Sequence, residues 1–293
     1  MPAIELTDSV GHRCSEVTLT CGYMGQQKTN MTPNIDQNGN GNKPNAREAL
    51  EAMTPIEQCS LIPHTNMANT LRTPRVRTVL NRLFAAAAHD HGTPRWRKPS
   101  LSWETATTQE RADASESTYM PISPEGGDLL YILVRAKRPN TVIEFGTSYG
   151  ISTIYLAAAV ADNGAGRVVS TELSEAKVLA ARANLEEARL ADRVTILLGD
   201  AMTTLNDIPG PIDLVLLDGW KDLCLPVLRS LESRLTVGAL IVADDINLPS
   251  LSAYLEYLRH PANGYISVAF PVVDGMEISC WTAGGASGEE GAL

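Results

Sequence analysis

A chain of 293 residues with 44% hydrophobic content is long enough to bury a sizeable core, in one large domain or two small ones. Its formal net charge of −10 argues against partners recognised through phosphate, whether nucleic acid or an anionic membrane surface. No apolar run approaches the roughly 18–20 residues that span a bilayer. The start has no apolar leader core and carries Glu5, Asp8 and Glu16, and the five cysteines (Cys14, Cys21, Cys59, Cys224, Cys280) form no C-x-x-C pair. The expectation is a cytoplasmic protein with reduced thiols, no leader and no membrane segment.

In chain order, residues 1–66 read as a disordered or poorly structured extension. Residues 1–46 are rich in Asn, Gln, Thr and Gly, include the run Asn38-Gly39-Asn40-Gly41-Asn42, and show neither a 3.6-residue nor a 2-residue apolar period. Such a stretch buries too little apolar surface to offset its ordering entropy. The spacing of Val76, Val79, Leu80, Leu83 and Phe84 predicts a helix over 74–88. A polar connection from Thr93 to Ser102 then leads to a second helix near Thr105–Ser115. Residues 67–122 are thus expected as a helical cap over a site farther along.

From Ser123 the punctuation becomes regular. Ser123, Glu125 and Gly126 open a helix carrying Leu129, Leu130, Ile132, Leu133 and Val134. Short β-rich runs follow at Thr141–Phe145, Arg167–Thr171, Arg193–Leu198, Asp213–Leu217 and Ala239–Ala243. Helical stretches alternate with them at about 150–161, 174–188, 200–206 and 222–234. Strands without polar alternation, separated by helices, predict a parallel sheet covered on both faces. Tyr265–Phe270 and Met276–Trp281 flank Asp274-Gly275, a hairpin signal. The fold class is therefore α/β: a doubly wound, mainly parallel seven-stranded sheet of five parallel strands plus a C-terminal antiparallel hairpin. It occupies 123–283, with N-terminal covering helices and a flexible tail over 284–293.

Ligands of doubly wound sheets sit beyond the carboxyl ends of the strands. The first strand runs into Glu144-Phe145-Gly146-Thr147-Ser148-Tyr149-Gly150, a turn whose glycines allow close backbone approach to a ligand, and which differs from the G-x-G-x-x-G fingerprint of dehydrogenases. A tight turn with no ligand has the same appearance. The second strand ends in Glu172, placed to accept from ribose hydroxyls or simply to favour a helix N-terminus. The third ends Gly199-Asp200-Ala201, suited to an adenine edge or to an N-cap. The fourth and fifth end in Asp218 and in Asp244-Asp245. Three convergent carboxylates repel one another unless a hard cation such as Mg²⁺ or bulk water relieves them. Lys221 lies beside this cluster.

Taken together, Glu144–Gly150, Glu172, Gly199–Ala201, Leu217–Asp222 followed by Leu225-Pro226, and Val272–Glu277 resemble the class I S-adenosylmethionine-dependent O-methyltransferases. Within them they resemble the metal-dependent group that includes catechol O-methyltransferase, over about Tyr119 to Trp281. The resemblance implies a cofactor site of Met120, Ile122, Ser123, Glu144, Gly146, Ser148, Gly150, Ser152, Glu172, Gly199, Asp200, Ala201, Asp218 and Trp220. It implies a Mg²⁺-type cation on Asp218, Asp244 and Asp245, catalytic roles for Lys221 (general base) and Asp218, and a small hydroxyl-bearing acceptor. It is compatible with a homodimer and with a metal-independent O- or N-methyltransferase; a non-catalytic nucleotide-binding module is the alternative outside enzymes. Three positions depart from the group's pattern. Asp245 stands in place of Asn, Gly219 in place of the cofactor-contacting His, and Val268 aligns near the acid that holds a second acceptor hydroxyl.

Overall fold

Strand β1 (Thr141–Phe145) is buried along its whole length, and the rest of the sheet is assembled on either side of it. The computed structural model describes residues 69–90, 102 and 105–283. The expected N-terminal extension, its three cysteines, the connection over 93–101 and the 284–293 tail lie outside the described residues. Beside β1 run β2 (Arg167–Glu172), β3 (Val194–Leu198), β4 (Ile212–Leu217), β5 (Leu235–Asp244), β6 (Tyr265–Phe270) and β7 (Met276–Trp281). Their order across the sheet is β3-β2-β1-β4-β5-β7-β6. The pairs among β1 to β5 are parallel, and β7 lies antiparallel to both β5 and β6. This is the expected class I-type topology. Strand order reverses between β1 and β4, which opens a crevice at their carboxyl ends.

Successive side chains of a strand alternate between faces, and two helical layers take up the alternation. On one face, Val142, Val168, Leu214, Leu216 and Val242 share a core with helices α1 (Pro74–Asp90), α3 (Pro124–Lys137), α4 (Ile151–Asn163) and α5 (Glu175–Ala188). On the other, Ile143, Phe145, Val215, Leu217 and Ile241 pack with α6 (Ala201–Thr204), α7 (Cys224–Leu231) and α8 (Ser252–Arg259). Helix α4 is buried on nearly every residue because it lies between α3 and the sheet. A short helix α2 (Thr108–Ala114) precedes α3 and begins with a reciprocal cap: Thr107 Oγ1 accepts from Glu110 N while the Glu110 carboxylate accepts from Thr107 N.

One expectation is corrected, and one helix was missed. Helix α1 is not part of a cap over the crevice. Its apolar stripe of Val76, Val79, Leu80 and Leu83 belongs to the core, and Arg82 reaches α5 at Asn184 and Glu187. Helix α8 was not anticipated, although Leu251, Tyr254, Leu255 and Leu258 carry the right spacing; at eight residues it falls below the length at which periodicity is persuasive. The β6–β7 hairpin forms over the expected strands. Its tight turn spans Val272–Gly275, closed by Gly275 N donating to Val272 O, with Val273 and Gly275 at positive φ.

The hairpin is anchored to α8 by a buried charge. Glu277 has no exposed surface and accepts from Arg259 Nε at 2.9 Å, Arg259 Nη2 at 2.7 Å and Ser267 Oγ at 2.5 Å. Burial would push the carboxyl up, but the Arg259 and Ser267 hydrogen bonds and the Arg259 charge outweigh it and hold it below the usual range. A lowered folded pKa contributes stability above the unfolded value of about 4.5, and that contribution fades as pH falls. Arg259→Met should therefore lower unfolding free energy by about 1–3 kcal/mol at pH 7, reduced from a fully buried pair because Arg259 is half exposed. In urea titrations the gap between wild type and variant should shrink below about pH 4; a gap independent of pH would assign the loss to packing alone.

Candidate active site

A cleft of about 800 Å³ opens at the carboxyl ends of β1, β2, β4 and β5, where the strand order reverses. Two glycines make its floor possible. Gly146 takes φ +104°, and a Cβ there would lie 2.7 Å from Gly219 N and 2.8 Å from the Asp218 carbonyl carbon. Across from it, a Cβ on Gly219 would lie 2.5 Å from the Phe145 ring. Asp218 N donates to Phe145 O at 2.9 Å, so the β1 and β4 tips are held in contact.

On the β2 side, Glu172 gathers the turn around itself. Its Oε2 accepts from Ser148 N at 2.8 Å, and its Oε1 accepts from Leu173 N and Ser174 N, both at 2.9 Å. Ser148 is held at φ 46°, an uncommon conformation for a residue with a side chain. Asp200 caps α6, accepting from Met202 N at 2.7 Å. Met120, Ile122, Gly146, Ser148, Ser152, Glu172, Gly199, Asp200, Ala201, Asp218 and Trp220 all line the cleft, as expected of a cofactor site.

Ser123, Glu144 and Gly150 do not line it; they brace its wall from behind. Ser123 Oγ caps α3 by accepting from Gly126 N. Gly150 begins α4 at φ +85°, against Ala181 Cβ. Glu144 is fully buried, its Oε2 accepting from Thr153 Oγ1 at 2.6 Å and Ser170 Oγ at 2.5 Å, while Oε1 accepts no hydrogen bond from the described residues. Burial pushes its carboxyl up, and the hydroxyls of Ser152, Ser170 and Thr153 pull it only partly back, to about 7.

On the β4–β5 side the three aspartates converge as expected. One carboxylate oxygen from each of Asp218, Asp244 and Asp245 lies within 4.8 Å of the others. Asp245 adopts φ 58°, a left-handed conformation that turns the chain just beyond β5. Lys221 Nζ sits 2.7 Å from Asp218 Oδ1 and 3.0 Å from Asp245 Oδ2. Burial raises Asp218; Lys221 opposes the shift and Asp245 adds to it. Asp244 is pushed up to about 7 by burial first, then by the charges of Asp218 and Asp245. Burial alone would lower the Lys221 ammonium, but the two carboxylates outweigh it and hold it above the ordinary lysine range. In this arrangement the two carboxylates favour the ammonium form of Lys221.

Sequence reading missed several lining residues. Arg111 on α2 donates from Nη1 to both oxygens of Asp222 at 2.9 and 3.1 Å, and its guanidinium stands 5.9 Å from the Trp220 ring centroid. That contact ties the α2 segment to the β4 loop. Lys177 and Asp274 also line the cleft. Solvated faces are the default for Arg and Lys in helices and for Asp in a turn, so only tertiary packing identifies these three. Val268 is exposed on the edge strand β6 and is not among the lining residues.

Residues 143–246 match the family described as a methyltransferase domain. The chain is 35% identical over 136 residues to catechol O-methyltransferase of Mycobacterium tuberculosis, a match covering 46% of this chain and 61% of that one. It is 31% identical over 167 residues to "Probable O-methyltransferase Rv1703c" of the same organism, covering 53% and 70%. The O-methyltransferase from Bacillus cereus in complex with SAH shares the fold with a TM-score of 0.53 at 22% identity, over 79% of this chain and 99% of that one. The chain thus spans 61% and 70% of the length of these two curated relatives.

The packing at the cleft floor has a direct test. Gly219→Ala should lower unfolding free energy by about 1–3 kcal/mol, because the new methyl collides with the Phe145 ring. Adding Phe145→Leu should recover part of that loss in thermal melts. Equal melting temperatures for wild type and Gly219→Ala would show that the ring moves aside freely.

Proposed function

The chain belongs to the S-adenosylmethionine-dependent O-methyltransferases, and on that premise we propose that it moves the sulfonium methyl of S-adenosylmethionine onto a hydroxyl of a small molecule, with a divalent cation of the Mg²⁺ kind held by Asp218, Asp244 and Asp245. The observation that carries the metal reading is the cluster itself: three carboxylates within 4.8 Å, of which Lys221 bonds Asp218 and Asp245. Two of the three are pushed up by burial and mutual repulsion, as expected of a site arranged for a charge it does not itself supply. All three donors are carboxylates, which suits a hard cation over a soft one.

The cofactor reading is supported at the other end of the cleft. Ser148, Ser152, Glu172, Gly199 and Asp200 line it there, and the Glu172 carboxylate is fixed at the tip of β2 by three backbone N–H groups. When bound, S-adenosylmethionine supplies an electrophilic methyl and the cation a Lewis acid that favours ionisation of the acceptor hydroxyl. The chain's own residues then bind, orient and exclude water. Gly146, Ser148 and Glu172 form one wall. Arg111, bonded to Asp222 and set over Trp220, holds α2 across the opening and limits access of bulk water. Lys221 carries a proton at Nζ while Asp218 and Asp245 keep their charge toward it, so a base role depends on that charge being taken up by a cation.

A second reading has an observation of its own. Lys221 bonds two of the three aspartates, so the ammonium could serve as their counter-charge in a metal-independent transferase. The two readings part on chelation. Under the metal reading, methylation of a panel of phenols and catechols should vanish with excess chelator and return with Mg²⁺ or Mn²⁺. Asp218→Asn and Asp244→Asn should lower kcat far more than cofactor affinity. Asp245→Asn should be mild, since Asn keeps a ligand oxygen and tolerates the left-handed backbone at φ 58°. Full turnover in metal-stripped protein would eliminate metal assistance and leave the metal-independent transferase.

The raised Asp244 adds a pH prediction. Its carboxyl moves from 3.8 to about 7 on folding. The folded chain therefore binds more protons than the unfolded one, and metal-free stability should fall as pH rises from about 4 to 7. A cation must displace that proton, so Mg²⁺ affinity measured by calorimetry should weaken below about pH 7, and Mg²⁺ should restore stability above it. Mg²⁺ affinity that stays flat from pH 5 to 8 would remove Asp244 from the ligand set.

A further inference from the structure

Lys177 is a charged group inside the cleft that the proposed chemistry leaves unused. It lies in the first turn of α5, five residues after Glu172, and lines the cleft although only 3% of its surface is exposed. Its ammonium makes no hydrogen bond to any described residue and stands over the face of Tyr149, 5.7 Å from the ring centroid. Burial pushes the ammonium down, and Glu172, then Asp90 and Glu116, act in the opposite sense, so Glu172 is the carboxylate that acts on it most strongly. A buried ammonium whose donors are unspent is expensive unless something entering the cleft accepts from it.

The bonding of Glu172 indicates what that is. A carboxylate offers about four acceptor positions. The N–H groups of Ser148, Leu173 and Ser174 take three of them, which leaves one, on Oε2. A ribose carries a vicinal pair of hydroxyls, and a single free acceptor position serves only one. Lys177 stands beside Glu172 with three N–H donors to offer. We propose that Lys177 is a cofactor-binding residue: its ammonium donates to one hydroxyl of the ribose diol while the remaining acceptor position of Glu172 takes the other. Acid and ammonium together form the ribose subsite, and Tyr149 sets the direction of the lysine side chain.

The proposal rests on the methyltransferase reading, and its test separates the two. The probe is S-adenosylhomocysteine, with its 2′-deoxy and 3′-deoxy analogues, titrated by calorimetry into the full chain and into Lys177→Met and Lys177→Gln. Lys177→Met should bind S-adenosylhomocysteine about tenfold more weakly than wild type. One of the two deoxy analogues should bind wild type and Lys177→Met equally, because it lacks the hydroxyl that the ammonium contacts. Lys177→Gln, which keeps a donor, should recover part of the affinity. If the parent and both analogues weaken in parallel, or Lys177→Met and Lys177→Gln both bind like wild type, the ribose contact is overturned. A wild-type chain that takes no S-adenosylhomocysteine would instead overturn the methyltransferase reading and this subsite with it.

Discussion

The hydrogen bond from Asp218 N to Phe145 O holds the tips of β1 and β4 together where the order of strands reverses. At that place β1 leads its crossover toward β2 while β4 leads toward β5, so the chain leaves in opposite directions and a crevice opens. The contact is close enough that neither Gly146 nor Gly219 has room for a Cβ. Everything placed in the cleft is measured from this seam. Glu172 lies one strand to one side of it, at the tip of β2, while Asp218 lies on it and Asp244 and Asp245 one strand to the other.

The two ends of the cleft answer different electrostatic problems. At the β2 end, the backbone has already saturated most of a carboxylate, and a nearly buried ammonium lacks a hydrogen-bond partner among the described residues. At the β5 end, carboxylates outnumber the ammonium that bonds them, and burial raises two of them. One end therefore suits a polar neutral group that both donates and accepts, and the other suits a cation. A cofactor with a ribose and an acceptor whose hydroxyl must ionise would meet these demands in that order along the sheet.

Segments that differ from ideal geometry gather around the same cleft. Met120, Ser148 and Asp245, all at positive φ, each line it. Such conformations cost of order 1–3 kcal/mol and persist where the surroundings enforce them. The surroundings here are identifiable: Glu172 and Tyr119 hold Ser148 by its N–H and its hydroxyl, and Lys221 holds Asp245. The same stiffness reaches α2 through the Arg111–Asp222 pair, which is largely shielded on the arginine side.

Much of the fold was legible because strand and helix periods are local properties of the chain. The β1 and hairpin strand limits match residue for residue, and α3 to α5 lie where caps and apolar spacing put them. Strand-tip positions of Glu172, Asp218, Asp244 and Asp245 follow from the same reading, since a parallel sheet presents its carboxyl ends together. What the chain order could not reveal is which side chains turn inward from elements whose own pattern is that of a surface. Lys177, Arg111 and Asp274 carry no local signal of a site residue, and packing alone brings them to the cleft. The protonation of Lys221 was likewise undecided in one dimension, because its pKa is set by two carboxylates from different strand tips. The burial that separates Glu144 from the cleft it was expected to line depends on α4 lying over β1. Those are distances between segments remote in sequence, and only the folded chain determines them.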